Sequence, residues 1–342
     1  MPLIVAEHID RLLCTVEMRF RSGLPRGVTV PLYEAARHAQ GGQPLTYLAA
    51  TALRDRVQPG SHVLVVTGAG APPGLPRGET DGPPGAAAIV RAVDWGLGAK
   101  PVIVTEDRHA PPIVASVEAL GVAVVDQEVF RGRSHTAVLE TLPTGLEADR
   151  SRTAEIFERY QPAAAVFVEK GGPNEAGMYH SIMGIGRGPD IMANAFHIVD
   201  LARQRQCLTI GIGDGGNEIG FGMIRDTVMD VQPYGRQCQC PCGKGVATVT
   251  ATDVLVAASI SNWGAYGISA CLSLLLNRPD VLQTEEMERF MLERCVAAGG
   301  EDGAYGAPLL MVDGTWGRTQ EAVITMLRNI VANGLADYTR GF

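Results

Sequence analysis

The sequence predicts an α/β protein in which a mostly parallel sheet carries helices on both faces, a Rossmann-like arrangement with a helical N-terminal segment. From residue 62 onward, short β-type apolar runs alternate with helical stretches. Such alternation is typical of parallel strands joined by crossover helices. Several of the runs are apolar at nearly every position, which indicates strands that are buried on both faces.

The elements follow in a regular order along the chain. The first 60 residues contain helical segments only, at 4–13, 30–38 and 44–54. Strands are predicted at 62–67, 101–105, 122–126, 164–169, 207–213 and 253–259. Helices are predicted at 84–97, 112–120, 152–160, 190–204, 265–276, 284–298 and 319–333. Residues 127–150 fit neither pattern clearly and leave room for an insertion. The expected layout is a helical segment over residues 1–60 packed on an α/β catalytic domain over residues 61–342.

Composition limits the classes of function. The chain has 342 residues, of which 46% are hydrophobic, so it can bury a substantial core. A formal net charge of −8 argues against nucleic acid or an anionic membrane as a partner. No run reaches the length of a membrane span, and the odd number of cysteines, 7, fits a reducing compartment, so a cytoplasmic protein is expected. Small residues after Trp263 permit close helix packing, within one subunit or in a homo-oligomer.

The most informative segment is 207–222, CLTIGIGDGGNEIGFG. A β-type apolar run stops there at a loop of glycines that also carries carboxylates and an amide. Glycines let the backbone come close to a ligand, and α/β proteins place their chemistry on loops that follow strands. The loop residues taken as site candidates are Asp214, Gly215, Gly216, Asn217 and Glu218.

The same segment contains the pattern G-x-G-x-x-G, at Gly211, Gly213 and Gly216. In a dinucleotide site the backbone amides of such a loop and a helix N-terminus hold a pyrophosphate. Here Asp214 and Glu218 would set negative charge against the phosphates. No nucleotide cofactor is therefore expected, and a divalent cation or a cationic amine suits the loop better.

Two further loops carry polar groups after predicted strands. In the loop 67–85, Asp81 either caps the next helix or belongs to a site with Arg77 and Thr80. The loop after the strand at 164–169 concentrates acid, base, amide and imidazole groups, which favours a site over isolated surface roles. Its candidates are Glu169, Lys170, Gly171, Gly172, Asn174, Glu175 and His180.

Two more segments admit both structural and functional interpretations. Asn262, after the strand at 253–259, is either a helix cap or a site residue. Cys238, Cys240 and Cys242 alternate along the chain, so an extended segment would turn all three thiols to one side. They admit a structural metal site that still needs a fourth ligand, a loop that delivers Lys244 to a carboxylate, or a cysteine nucleophile.

Together the motifs GIGDGGNEIGFG, GETDGPPGAAA, EKGGPNEAGMYH, CQCPCGKG and ASISNWGAYG resemble the C-terminal domain of the D-glutamate cyclase family. The resemblance covers roughly residues 30–333. It implies a hydro-lyase that converts D-glutamate into 5-oxo-D-proline and water, or opens the lactam in reverse. The partner expected from it is a small acidic amino acid or its lactam.

Lactam closure needs a base near the amine, an acid near the leaving oxygen, and positive charge on the carboxylates. The proton-transfer and catalytic candidates are Asp214, Glu218, Glu169, Lys170 and Glu175. The substrate-binding candidates are Arg77, Thr80, Asp81, Gly171, Gly172, Asn174, His180, Gly215, Gly216, Lys244 and Asn262. Asp214, Asn217 and Glu218 are candidates for holding Mg²⁺ or Mn²⁺. A metal-dependent hydrolase or lyase on another small carboxylated compound, and a non-catalytic nucleotide-binding module, remain alternatives.

Overall fold

A parallel sheet forms the centre of the molecule, and the α/β class predicted from the sequence is confirmed. The computed structural model describes residues 2–15, 27–70 and 72–336. In these residues the sheet has seven strands, ordered β3-β4-β2-β1-β5-β8-β9 and all parallel. The strands in chain order are β1 (His62–Thr67), β2 (Lys100–Thr105), β3 (Ala123–Val124), β4 (Thr136–Thr141), β5 (Ala164–Val168), β6 (Tyr179–His180), β7 (Gly186–Arg187), β8 (Leu208–Gly213), β9 (Val254–Ala257), β10 (Met311–Val312) and β11 (Thr315–Trp316).

Helices cover both faces of the sheet. In chain order they are α1 (Pro2–Leu13), α2 (Thr29–Ala39), α3 (Leu45–Arg56), α4 (Pro83–Arg91), α5 (Ala110–Ala119), α6 (Gln127–Gly132), α7 (Leu146–Tyr160), α8 (Phe196–Arg205), α9 (Arg225–Val231), α10 (Ser261–Leu276), α11 (Glu285–Ala297) and α12 (Gly317–Leu335). No helix in these ranges is long and apolar enough to cross a membrane.

The sheet separates two hydrophobic cores. Along β1, Val63 and Val65 belong to the larger core, whereas Leu64 and Val66 belong to the smaller one. Side chains of α1–α5 and α10–α12 fill the larger core, and those of α6–α8 fill the smaller one. The alternation explains why the strands are apolar throughout, because successive side chains point to opposite faces that are both covered.

Residues 127–150 contain regular structure that the sequence pattern did not reveal. They form α6, the sheet strand β4 and the start of α7. The strand has the sequence TAVLET, in which threonine and glutamate break the apolar run. Its Glu140 is buried and accepts hydrogen bonds from Arg159 and Tyr160, so tertiary partners compensate for the polar residue.

The topology places three loops side by side. β1 lies between β2 and β5, so the direction of winding reverses there. The strands are in register, with Thr67 opposite Val168 and Val168 opposite Ile212. The loops after β1, β5 and β8 therefore leave the sheet at the same level and meet at its carboxyl edge.

Candidate functional site

A cavity of about 460 Å³ lies at this carboxyl edge. Its wall includes Ala69 after β1, Glu169 after β5 and Asp214 after β8. Open parallel sheets bind ligands at such a switch point, and the volume falls within the range of small-molecule sites. The lining residues are Val28, Ala69, Gly70, Leu75, Glu79, Glu169, Gly171, Tyr179, His180, Ser181, Ile182, Met183, Arg187, Met192, Asp214, Gly215, Asn217, Glu218, Gln232, Gly303, Ala304 and Asp313.

Acidic side chains dominate the polar part of the cavity wall. The carboxylates are those of Glu79, Glu169, Asp214, Glu218 and Asp313. Among the described lining residues, Arg187 supplies the one guanidinium that faces them. Carboxylate oxygens of Glu169, Asp214 and Glu218 lie within 4.8 Å of one another, as do those of Asp81, Asp214 and Asp313. The cavity therefore suits a ligand with a cationic group near the acids and an anionic group near Arg187.

Burial and mutual repulsion raise the pKa values of several acids in the cavity wall. Burial, reinforced by neighbouring carboxylates, raises the pKa of Glu169, Asp214 and Asp313 well above the ordinary range. Burial and the charge of Asp81 raise the pKa of Glu79 to about 8. Without a cation in the cavity, these carboxyls therefore hold their protons more firmly than ordinary carboxyls do, and Glu79 stays largely protonated at neutral pH.

The shift at Glu79 predicts a pH-dependent effect on stability. Because its pKa is higher in the folded state, ionisation of Glu79 destabilises the fold as pH rises from about 4 to its folded value of about 8. Glu79→Gln should therefore leave the melting temperature unchanged near pH 4 and raise it progressively as the pH rises to about 8. Over that range the stability of the variant relative to the wild type should increase by up to about 1.4 kcal/mol per pH unit. Thermal melts without added Mg²⁺ or Mn²⁺ would measure this.

Glu175→Gln is the matched control, because Glu175 lies at the surface and outside the cavity wall. Its effect on the melting temperature should stay small across the same pH range. If Glu79→Gln behaves like this control, Glu79 ionises in the folded protein at its ordinary pKa.

Glu218 shapes the loop that follows β8. Its Oε1 accepts the backbone N–H groups of Asp214 (3.1 Å) and Gly215 (2.8 Å), and its Oε2 accepts that of Gly216 (2.6 Å). Those are the amides that a pyrophosphate would need. No helix starts at Gly216 either, since the next helical turn begins at Gly222. The loop therefore lacks the geometry of a dinucleotide site, despite its glycine spacing.

Asp214 differs from Glu218, because one of its carboxylate oxygens accepts no hydrogen bond from the described residues. Its side chain is buried, and its Oδ2 has no hydrogen-bond partner among the described residues. A buried carboxylate oxygen without a partner carries a desolvation penalty that a bound cation or a proton would relieve. Of the two acids in this loop, Asp214 is therefore the one with a carboxylate oxygen that makes no hydrogen bond to the described residues.

Asp81, Thr80 and Asn262 build the floor beneath the cavity and do not line it. Asp81 accepts the backbone N–H groups of Ser261 (2.9 Å) and Asn262 (2.8 Å), so it caps the start of α10. Asn262 Oδ1 accepts the N–H groups of Gly82 (2.9 Å) and Gly85 (2.7 Å), and Thr80 Oγ1 donates to the Met311 carbonyl (2.7 Å). The polar atoms of Asp81 and Asn262 thus join the loop after β1 to α10, and the Thr80 hydroxyl joins the same loop to β10.

Lys170 lies behind the cavity in a buried ion pair. Its Nζ donates to the Gly68 carbonyl (3.0 Å) and to Glu106 Oε1 (3.4 Å), and the side chain is 1% exposed. Burial alone would raise the pKa of Glu106, but the Lys170 ammonium and neighbouring cations outweigh it and hold that pKa well below its ordinary range. The structure therefore places Lys170 in a structural pair, away from the cavity wall.

Three other charged candidates lie at the surface. Glu175 pairs with Arg225 (2.8 Å) and Lys244 (3.0 Å), while Arg77 Nη1 donates to the Ala298 carbonyl (3.4 Å). None of Arg77, Glu175 and Lys244 lines the cavity. Exposed pairs of this kind contribute little stability.

Of the remaining residues predicted for the site, some line the cavity and others do not. Glu169, Gly171, His180, Gly215 and Asn217 line the cavity. Glu169 also accepts a hydrogen bond from Ser261 Oγ, and Asn217 Nδ2 donates to the His180 carbonyl (3.1 Å). The supporting candidates, which do not line it, are Gly172, Asn174 and Gly216.

Three charged residues of the cavity wall were absent from the site predicted by sequence: Glu79, Arg187 and Asp313. Arg187 reaches the cavity from β7, which pairs antiparallel with β6. Asp313 lies in the turn between β10 and β11, for which the Asp313-Gly314 pair after an apolar dipeptide is a local hairpin signal. Nothing local in the sequence places either hairpin against the sheet.

The described residues also bring together a second kind of donor set. Its members are His180, Cys238, Cys240 and Cys242, whose ligand atoms lie within 4.8 Å of one another. The molecule therefore offers hard carboxylate oxygens inside the cavity and soft sulfur donors beside it, which suit different cations.

Fold and site together define the class of protein: a parallel α/β protein with an acidic, small-molecule-sized cavity at the switch point of its sheet. The chain belongs to the D-glutamate cyclase-like, C-terminal family, whose model matches residues 31–328. This confirms the family resemblance predicted from the sequence motifs.

A curated relative agrees with this assignment. The chain is 26% identical over 212 residues to the human protein "D-glutamate cyclase, mitochondrial". The matched region covers 58% of this chain and 30% of the human protein. The chain thus spans less than a third of that relative's length.

Proposed function

We propose that this chain is an enzyme that closes D-glutamate into 5-oxo-D-proline and water, or opens that lactam. The observation that carries the proposal is the charge pattern of the cavity, in which a cluster of buried acids faces the guanidinium of Arg187. D-Glutamate has the complementary pattern, with an ammonium group between two carboxylates. Family membership and the human relative support the same reaction.

Arg187 would anchor a substrate carboxylate. A guanidinium can hold a carboxylate through two parallel charge-assisted hydrogen bonds, which fix orientation as well as affinity. The substrate ammonium would then lie against Asp214, whose Oδ2 is unpartnered. Held between these groups, the chain of the substrate folds so that its nitrogen approaches the γ-carboxyl carbon, and the reaction gains from being intramolecular.

Lactam closure balances without any external proton. The ammonium group loses two protons, its nitrogen bonds to the γ-carboxyl carbon, and one γ-carboxyl oxygen leaves with those two protons as water. The raised pKa values of Asp214 and Glu169 suit this relay, because burial makes each carboxylate a stronger base than an ordinary carboxylate. Asp214 would accept protons from the amine, and Glu169 would donate to the leaving oxygen.

The carboxylates also fit a divalent cation. Mg²⁺ or Mn²⁺ would be held by Asp214 with Glu169 and Glu218, whose oxygens lie within 4.8 Å of one another. When bound, such an ion polarises a carboxylate as a Lewis acid. Asn217, the other candidate ligand, also lines the cavity.

The direct test is turnover of the purified protein. D-Glutamate, L-glutamate and both enantiomers of 5-oxoproline would be incubated with the protein, with and without Mg²⁺ or Mn²⁺, and quantified by chiral chromatography. Formation of 5-oxo-D-proline, or its hydrolysis, supports the proposal. A folded protein that neither turns over nor binds these compounds contradicts it. Turnover of another lactam or hydroxy acid in a wider screen would favour the alternative hydrolase or lyase.

Arg187→Met tests whether Arg187 binds a carboxylate of the substrate. Because hydrogen bonds between charged groups contribute about 1.5–3 kcal/mol, the substitution should lower kcat/KM for D-glutamate by about 10–100-fold. Arg289→Met is the matched control, since Arg289 pairs with Glu321 on the surface and lies outside the cavity wall. Equal activity of the two variants would show that Arg187 does not hold the substrate.

A further inference from the structure

Three thiols and one imidazole converge beside the cavity. The Sγ atoms of Cys238, Cys240 and Cys242 lie 3.3–3.4 Å from one another. The Nε2 atom of His180 lies 3.3 Å from Cys240 Sγ and 3.7 Å from Cys242 Sγ. The four donors come from two segments that are distant in sequence, so tertiary folding assembles the cluster.

These separations are close to those of a tetrahedral zinc site. With Zn–S bonds of about 2.3 Å and Zn–N bonds of about 2.0–2.1 Å, neighbouring ligand atoms lie roughly 3.5–3.8 Å apart. The distance of 3.7 Å between His180 Nε2 and Cys242 Sγ lies within this range, and the other separations, at 3.3–3.4 Å, are a few tenths of an ångström shorter. They are far longer than the S–S bond of about 2.05 Å in a disulfide. A set of three thiols and one histidine is also a common complement for structural zinc.

The surrounding residues are arranged for the cluster. Gly186 leaves room for it, because a Cβ there would lie 2.7 Å from both Cβ and Sγ of Cys240. Asn174 Nδ2 donates to the Gly245 carbonyl (2.8 Å) and lies 3.5 Å from Cys242 Sγ. It thus helps to hold the cysteine loop, residues 238–245, in place. Positive φ angles at Gly243 (64°) and Gly245 (70°) turn the chain back after the last cysteine.

The imidazole of His180 makes no competing hydrogen bond to the described residues. Its side chain is buried, and its Nδ1 atom has no hydrogen-bond partner among the described residues. Its Nε2 atom is aimed at the thiols of Cys240 and Cys242. A buried ring held only by sulfur neighbours is in the position of a metal ligand.

We propose that Cys238, Cys240, Cys242 and His180 Nε2 bind one Zn²⁺ ion in a closed tetrahedral site. Since all four positions are filled by protein, the ion would act as a structural clip and not as a Lewis acid on substrate. It would tie the β6–β7 hairpin to the cysteine loop, and that hairpin carries Arg187 into the cavity. The zinc site shares His180 with the cavity wall but uses none of the acids there, and it does not depend on the proposed reaction.

Metal analysis tests the proposal directly. Protein purified without chelator, under reducing conditions and from zinc-supplemented cells, should contain about one zinc ion per chain. Cys240→Ser and His180→Gln should lower this content by roughly tenfold or more after dialysis. Cys207→Ser is the matched control, because Cys207 is a buried free cysteine outside the cluster, and Asp214→Asn controls for the carboxylate cavity. Both controls should keep their zinc.

A second measurement uses the wild-type protein, so it does not depend on the variants folding. Exchange of the bound metal for Co²⁺ should produce the strong visible absorption of tetrahedral thiolate-bound cobalt. Modification of the thiols should release the bound zinc in proportion to the cysteines modified. Wild-type protein that binds neither zinc nor cobalt after reduction overturns the proposal. Zinc that is retained in Cys240→Ser but lost in Asp214→Asn, or an iron–sulfur spectrum, also overturns it.

Discussion

Asp214→Asn is expected to lower kcat/KM for D-glutamate by about 10²–10⁴-fold, the range associated with loss of a general acid–base group. The amide has nearly the same shape as the carboxylate, but it can neither accept a proton from the substrate ammonium nor neutralise its charge. Folding should be preserved or slightly improved, because Asp214 Oδ2 makes no hydrogen bond among the described residues that the change would remove. The change also removes a buried carboxylate that other acids repel.

Steady-state kinetics and thermal melts would measure both effects. Asp230→Asn is the matched control, since Asp230 is 61% exposed and pairs with Arg236 outside the cavity wall. It should leave kcat/KM within about twofold, as is usual for surface substitutions. If Asp214→Asn retains comparable activity, Asp214 does not handle the proton, and Glu169 becomes the residue to test.

Asp214→Asn also distinguishes a mechanism assisted by a divalent ion from one in which the carboxyls alone transfer protons. Mn²⁺ binding to wild-type protein, followed by electron paramagnetic resonance, should weaken strongly in Asp214→Asn if the carboxylates hold a divalent ion. Unchanged turnover without any added Mg²⁺ or Mn²⁺ would instead favour proton transfer by the carboxyls alone. The raised pKa values of Asp214 and Glu169 are compatible with either form, because a cation and a proton relieve the same buried charge.

Local sequence patterns predict six of the seven strands of the central sheet, all except β4. β1 and β8 are continuous apolar runs that stop at glycine-rich loops, and their predicted bounds agree with the structure to within one residue. β4 is different, because its Glu140 is tolerated only through partners on α7. The short strands of the β6–β7 and β10–β11 hairpins have only two residues each, too few to show a period.

The candidate site is predictable only in part, for a related reason. Strand ends identify the loops that carry Glu169 and Asp214, because parallel strands all end at one edge of the sheet. The pattern does not reveal which polar side chains turn inward to hold backbone amides, as Asp81 and Glu218 do. It also does not bring Arg187 to the same cavity, since that contact depends on the docking of a distant hairpin.

Glu218→Ala is expected to produce the largest loss of stability of the changes considered, about 3–9 kcal/mol. The substitution removes the acceptor of the buried N–H groups of Asp214, Gly215 and Gly216, and each unsatisfied group costs about 1–3 kcal/mol. Glu218→Gln keeps one side-chain oxygen as an acceptor and should lose less. Denaturant unfolding would measure both.

Glu175→Ala is the control for Glu218→Ala. Glu175→Ala, at an exposed carboxylate with ion pairs only, should change stability by less than about 0.5 kcal/mol. If Glu218→Ala is equally mild while hydrogen exchange at Asp214, Gly215 and Gly216 becomes fast, the loop has opened to water and Glu218 acts only locally. A large loss with Glu218→Ala, set beside a stable but inactive Asp214→Asn, would separate the two acids of this loop. Glu218 would then be the residue that shapes the loop, and Asp214 the residue that acts on the ligand.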